Sequence, residues 1–253
     1  VNSFDTPKPI QAAVDLAAGE VRLVAERRAD TRVRVNPLDP ASDDDATAAG
    51  LTEVEYSGGH LKVRTPRQGA VTVEIQLPEG SGLEIDLSAG QVRSHGRLGE
   101  TRIHSAHGGI QLDQTAGLDV ESGSGDVCVA AVEGPAVITM RNGDLCLGEA
   151  AGGLRVTTTR GRIEVERAHA DVEVTTGEGD VGIGEVARGS VTLVASGQVE
   201  VGVRRGSAAR LSLDSTYGAV RNLLEAWPPP EESVEIHASA TFGDVVVKRS
   251  VPK

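Results

Sequence analysis

The sequence predicts an all-β chain wound as a parallel β-solenoid, or β-helix, of about nine 18-residue rungs with an irregular N-terminal β-layer. Three observations carry this: a glycine-anchored phrase that returns about every 18 residues, alternation of aliphatic and polar residues inside each copy, and a near absence of aromatic side chains. The phrase is glycine, any residue, aliphatic. It stands at Gly90-Gln91-Val92, Gly108-Gly109-Ile110, Gly125-Asp126-Val127, Gly143-Asp144-Leu145, Gly161-Arg162-Ile163, Gly179-Asp180-Val181, Gly197-Gln198-Val199, Gly218-Ala219-Val220 and Gly243-Asp244-Val245. Aromatics make up 2% of the 253 residues, while glycine occurs 31 times, which suits a thin core of small repeated contacts better than a thick globular one.

Residues 1–80 follow the repeat loosely and are read as an N-terminal cap region. Segments 20–25, 31–35, 51–56, 61–65 and 71–77 read as strands, with Gly19-Glu20-Val21 and Gly59-His60-Leu61 as degenerate copies and NPLDPASDDDATAAG (36–50) as a loop. Such a layer would cover a solenoid end, whose unpaired backbone otherwise invites aggregation. Residues 81–253 are the solenoid proper. In each copy the second residue after the glycine points inward, and usually the fourth, as at Leu112, Val129, Leu147, Val165, Ile183, Val201 and Val247. The residue between them points outward: Arg93, Gln111, Cys128, Cys146, Glu164, Gly182, Glu200, Arg221, Val246. A second strand precedes each glycine, with inward Ile85 and Leu87, Leu118 and Val120, Leu154 and Val156, Val172 and Val174, Leu211 and Leu213. A Pro-rich loop at 223–233 cannot continue a ladder, because prolines lack the N–H donor, and final strands follow at 234–238 and 244–249. Helix content is expected to be negligible.

Net charge is −12, which argues against nucleic-acid binding, since that affinity comes from Lys and Arg neutralising phosphates. The opening VNSFDTPKPI has no basic region leading into an apolar run, and no stretch approaches the roughly 18 apolar residues of a membrane helix. The expectation is a cytoplasmic chain without membrane insertion, and two cysteines in such a length do not make a disulfide framework.

The corner sequences are also family-like. A Ser/Thr-rich turn, then glycine, then Asp, Gln or Arg between aliphatics occurs in SGSGDVCV, TTRGRIEV and GEGDVGIG. With the opening SFDTPKPI and the closing TFGDVVVK, this resembles the bacterial β-strand-repeat family of putative adhesins, a domain of unknown function common in actinobacteria. The resemblance covers essentially the whole chain through structural motifs. It implies the solenoid fold and an adhesin-like reading, and supplies no catalytic residues.

Candidate sites are few. Cys128 and Cys146 share one outward column on successive rungs, a possible redox pair, but two thiolates do not complete a zinc site. Asp126 and Asp144 would stack about one rung apart, near the roughly 5 Å separation of retaining glycosidase carboxylates. Asp beside Gly is equally ordinary turn chemistry. His95, His104 and His107 do not converge as metal ligands would, and Asp43-Asp44-Asp45 lacks the spacing of a calcium loop. GEGDVG (177–182) matches a dinucleotide fingerprint only formally, since a strand follows it where a helix is required. Thr139, Thr157 and Thr175 form an outward column, interrupted by Glu121 and Leu193. No cofactor or metal is expected. The reading favoured by the sequence is a non-catalytic scaffold with an acidic surface for a protein partner or self-association. The alternatives are a saccharide- or metabolite-acting β-helix enzyme or binding protein through Asp126 and Asp144, and an adhesin-like surface protein.

Overall fold

The computed structural model describes residues 1–224 and 232–250, which form 21 strands and one helix. The chain divides into two compact units, Val1–Val129 and Ala130–Lys253. Both are built from stacked parallel rungs that bend at a glycine corner.

In the first unit the strands are β1 (Asn2–Asp5), β2 (Gln11–Glu26), β3 (Asp30–Pro37), β4 (Glu53–Ser57), β5 (His60–Arg64), β6 (Val71–Pro78), β7 (Gly82–His107), β8 (Ile110–Ser124) and the start of β9 (Val127–Val132). Parallel stacking begins well before residue 81. β2 is a complete rung in register with β7, pairing Val14 with Ile85, Gly19 with Gly90 and Val21 with Val92. On its other edge β2 pairs in parallel with β5 and then β6. Gly19-Glu20-Val21 is therefore a true copy of the corner. Gly59 is not: Gly58 and Gly59, both at positive φ, form the two-residue turn of the β4–β5 hairpin. The irregular layer consists of β4 antiparallel to β5, β3 antiparallel to β6, and β1 antiparallel to β3.

One expected loop contains a helix, α1 (Asp43–Leu51). Ser42 caps it by accepting from the Asp45 amide, and three aspartates fill its first turn, where the helix dipole favours negative charge. Asp45 Oδ1 and Oδ2 accept from the backbone amides of Ala70 and Asp39 at 2.8 and 2.9 Å, which hold its carboxyl below the ordinary range. Helix α1 is short and lacks an apolar stripe, so hydrophobic periodicity does not reveal it.

The second unit contains β10 (Ala136–Asn142), β11 (Leu145–Ala150), β12 (Leu154–Arg160), β13 (Ile163–Ala168), β14 (Val172–Glu178), β15 (Val181–Val186), β16 (Gly189–Ala195), β17 (Val199–Val203), β18 (Ser207–Ser215), β19 (Val220–Asn222), β20 (Glu232–Ala240) and β21 (Val245–Arg249). Up to β17 each rung pairs with the next, Leu154 with Val172 and Ile163 with Val181. The order then changes. β20 lies between β16 and β18, pairing Val191 with Ile236 and Leu211 with Ile236 on opposite edges. β21 likewise lies between β17 and β19. The sequential stacking expected from the repeat fails here, because aliphatic inward columns are interchangeable from rung to rung. The consequence is visible in burial: Ile236 and Val247 are fully buried, whereas Leu211 and Leu213 are only half-buried and Val220 is exposed. The proline run 228–230 lies outside the described residues.

The corners explain the glycines. Gly161 sits at φ +144°, and a Cβ there would fall on the carbonyl oxygen of Gly143, one rung away. Strand-to-strand bonding continues around the bend, with Ile163 N donating to Asp180 O at 2.9 Å. Inside, Leu154, Val172, Val191 and Ile236 form one of the buried aliphatic columns of unit 2. Each such side chain contributes about 1.5–3 kcal/mol on burial.

Candidate functional site

The outer face of β13, β15 and β17 carries a surface trough of about 670 Å³. It arises from the alternation in Val181-Gly182-Ile183-Gly184: Val181 and Ile183 turn into the core, so the outward positions of β15 are both bare. The two glycines differ in origin. A Cβ on Gly184 would press on the carbonyl of Glu166, so close backbone approach requires glycine there. At Gly182 a Cβ would meet only Ile163 O, at 3.9 Å, and packing leaves room for a side chain. The bare floor at Gly182 is thus a property of the surface.

Charged side chains stand around this floor: Glu164, Glu166, Asp180, Glu185 and Glu200, with Arg162 and Arg167. Arg162 lies 3.6 Å from Glu164 and 3.9 Å from Asp180, and Lys248 reaches Glu200. Arg167 is directed to Glu149 at 3.3 Å, where His169 Nε2 also lies at 2.8 Å. Hydrogen bonds from His169 and then Arg167 hold the Glu149 carboxyl below its ordinary range. Burial pushes Glu185 upward, but hydrogen bonds from Ser250 at 2.8 Å and Arg204 at 2.9 Å outweigh it and the carboxyl ends lowered. The Ser250 bond also latches residue 250 to β15, beside Ser250 N donating to Val203 O.

The residues singled out in the sequence fall as follows. Asp126 and Cys128 belong to the first unit, Asp144 and Cys146 to the second. Asp144 Oδ1 accepts the backbone amide of Arg162 at 2.8 Å, and Asp180 Oδ1 that of Gln198 at 2.8 Å. Asp244 does the same for Ala219 at 2.9 Å. In the second unit the aspartate after the corner glycine thus ties one rung to its neighbour. Cys128 is half-buried and Cys146 exposed. The three histidines each meet a partner one rung on: His95 with Asp113, His104 with Glu121, His107 with Ser124. Thr157 pairs with Thr139 and Thr175, and the column ends at the exposed Val194 instead of Leu193, because β14 and β16 pair with a 19-residue offset. Among the described residues no group of three or more His, Cys, Asp or Glu is placed to hold a metal, and no helix is long and apolar enough to cross a membrane. The trough is absent from the sequence expectations, although a signal for it exists: alternate glycines at two outward positions of one strand.

Comparison with known proteins gives the following. Residues 13–249 match the family model described as Toastrack DUF4097. No curated protein matches the chain. Among solved structures the chain is similar to a putative cell adhesion protein from Clostridium sporogenes, with 12% identity, 98% of each chain covered and a TM-score of 0.23. It is also similar to a putative adhesin from Bacteroides fragilis, with 10% identity, 97% of this chain and 95% of that one covered, and a TM-score of 0.35. A putative adhesin from Parabacteroides merdae gives 10% identity, 97% and 94% coverage, and a TM-score of 0.44.

Proposed function

The chain belongs to the Toastrack DUF4097 family, and from that premise we propose that it is a non-catalytic β-solenoid scaffold whose β13–β15–β17 face docks an extended, basic segment of a protein partner. The observation that carries this is the glycine-floored trough. Its floor is bare where packing does not demand it, and five carboxylates face two guanidinium groups around it. A strand-like segment with Lys or Arg at alternate positions matches both the width of a missing side chain and the excess negative charge. The aspartates considered for catalysis are engaged otherwise in unit 2, where Asp144 holds a backbone amide.

The test is selection from a random displayed-peptide library on the immobilised chain, run beside Gly182→Tyr, which fills the trough, and Glu84→Lys, an exposed change on β7. Wild type and Glu84→Lys are expected to enrich Lys- and Arg-containing peptides, and Gly182→Tyr to lose them while melting like wild type. Equal enrichment by Gly182→Tyr, or none by wild type, would overturn the docking reading.

A further inference from the structure

We propose that two copies of this chain associate through the open edge of β18, pairing β18 antiparallel with β18 of the second copy across a two-fold axis at Ser212. Among the described residues no strand pairs with the outer edge of β18 or β19, since β20 and β21 occupy the inner edges. The amide of Thr216 donates to Ala240 O on β20, so even-numbered residues of this strand turn their N–H and C=O inward. Odd-numbered ones, Leu211 and Leu213 among them, turn theirs to the open edge.

The sequence of β18 is self-complementary about Ser212. In a two-fold antiparallel pair, positions whose numbers are symmetric about the axis stand opposite each other. Leu211 then faces Leu213 of the second copy, both half-buried in one chain, and the edge-directed backbone groups of this pair exchange two hydrogen bonds. Arg210 faces Asp214 of the second copy, and Asp214 faces its Arg210. Both are exposed, and neither enters an ion pair among the described residues, although Arg155, Arg160 and Arg204 all do with neighbouring rungs. Around the same end, Tyr217, Val220, Leu223 and Phe242 are exposed, with Tyr217 and Phe242 stacked at 5.4 Å. Apolar side chains gathered at an unpaired strand edge mark an association surface.

This edge is separate from the trough on β13, β15 and β17, so either reading can fail without the other. Sedimentation velocity on the full chain over a wide concentration range is the experiment. Wild type is expected to dimerise. Arg210→Asp and Asp214→Arg each place like charges opposite one another twice per dimer and should weaken association about tenfold. An equimolar mixture of the two single variants should regain it as a heterodimer. There the carboxylate introduced in one copy faces the guanidinium introduced in the other, while the native Asp214 and Arg210 that remain face each other. Amide exchange at Leu211 and Leu213 should slow as the dimer forms, and Gly182→Tyr should leave dimerisation intact. A wild-type monomer at all concentrations, or a dimer indifferent to both reversals, would overturn the proposal.

Discussion

At Gly161 two demands meet in one residue: the backbone is held at φ +144°, and the volume a Cβ would take is filled by the Gly143 carbonyl. Gly153 meets neither, since nothing lies within 4 Å of where its Cβ would stand and its φ is not positive. Alanine scanning therefore separates them. Gly161→Ala should cost about 3 kcal/mol, whereas Gly153→Ala should be neutral or stabilise by up to about 1 kcal/mol, read by urea denaturation. Equal costs would mean that the corner column is not set by rung contact. Asp144 belongs to the same scale, where its carboxylate adds a rung-to-rung bond through the Arg162 amide.

Strands in parallel register place like positions above one another, so a charged outward column must alternate in sign or repel. The chain resolves this with Arg155 beside Glu173, Arg160 beside Glu178 and Arg102 beside Asp119, each pair one rung apart. Several carboxyls are held below their ordinary values: Glu178 by its hydrogen bond from Arg160, Glu20 by that from Arg22, Glu149 by His169 and Arg167. A carboxyl lowered in the folded state binds its proton more readily when unfolded, so its stabilisation is present above the unfolded value of 4.5 and disappears as pH falls through the folded one. Thermal melts should be flat from neutral pH to about 5 and fall progressively below it. A melting temperature that held steady down to about pH 3 would refute this. Element by element, the inward columns were legible in the sequence because alternation with a buried face leaves a period of two. The place of β20 was not, since Ile236 and Ala238 suit any rung, and the trough was not, since a glycine in a strand reads first as a backbone requirement.

For the molecule, the two units manage their edges differently. In the first, β1, β3 and β4 close the parallel rungs with antiparallel strands. In the second, β20 and β21 are internal and hold β18 and β19 in place. Deleting residues 232–250 should therefore abolish ordered structure in 207–222 and expose the edges of β16 and β17, detected as lost amide protection and aggregation. Protection retained in 207–222 would contradict the observed strand order. The interleaving also has a meaning in time. During synthesis residues 207–222 leave the ribosome before the rung they must rest on, and direct pairing with β16 is the nearest available mistake. Native assembly then requires these residues to wait, or to be displaced when 232–249 arrive, so a chain interrupted in between is left visibly unfinished to the cell's proteases.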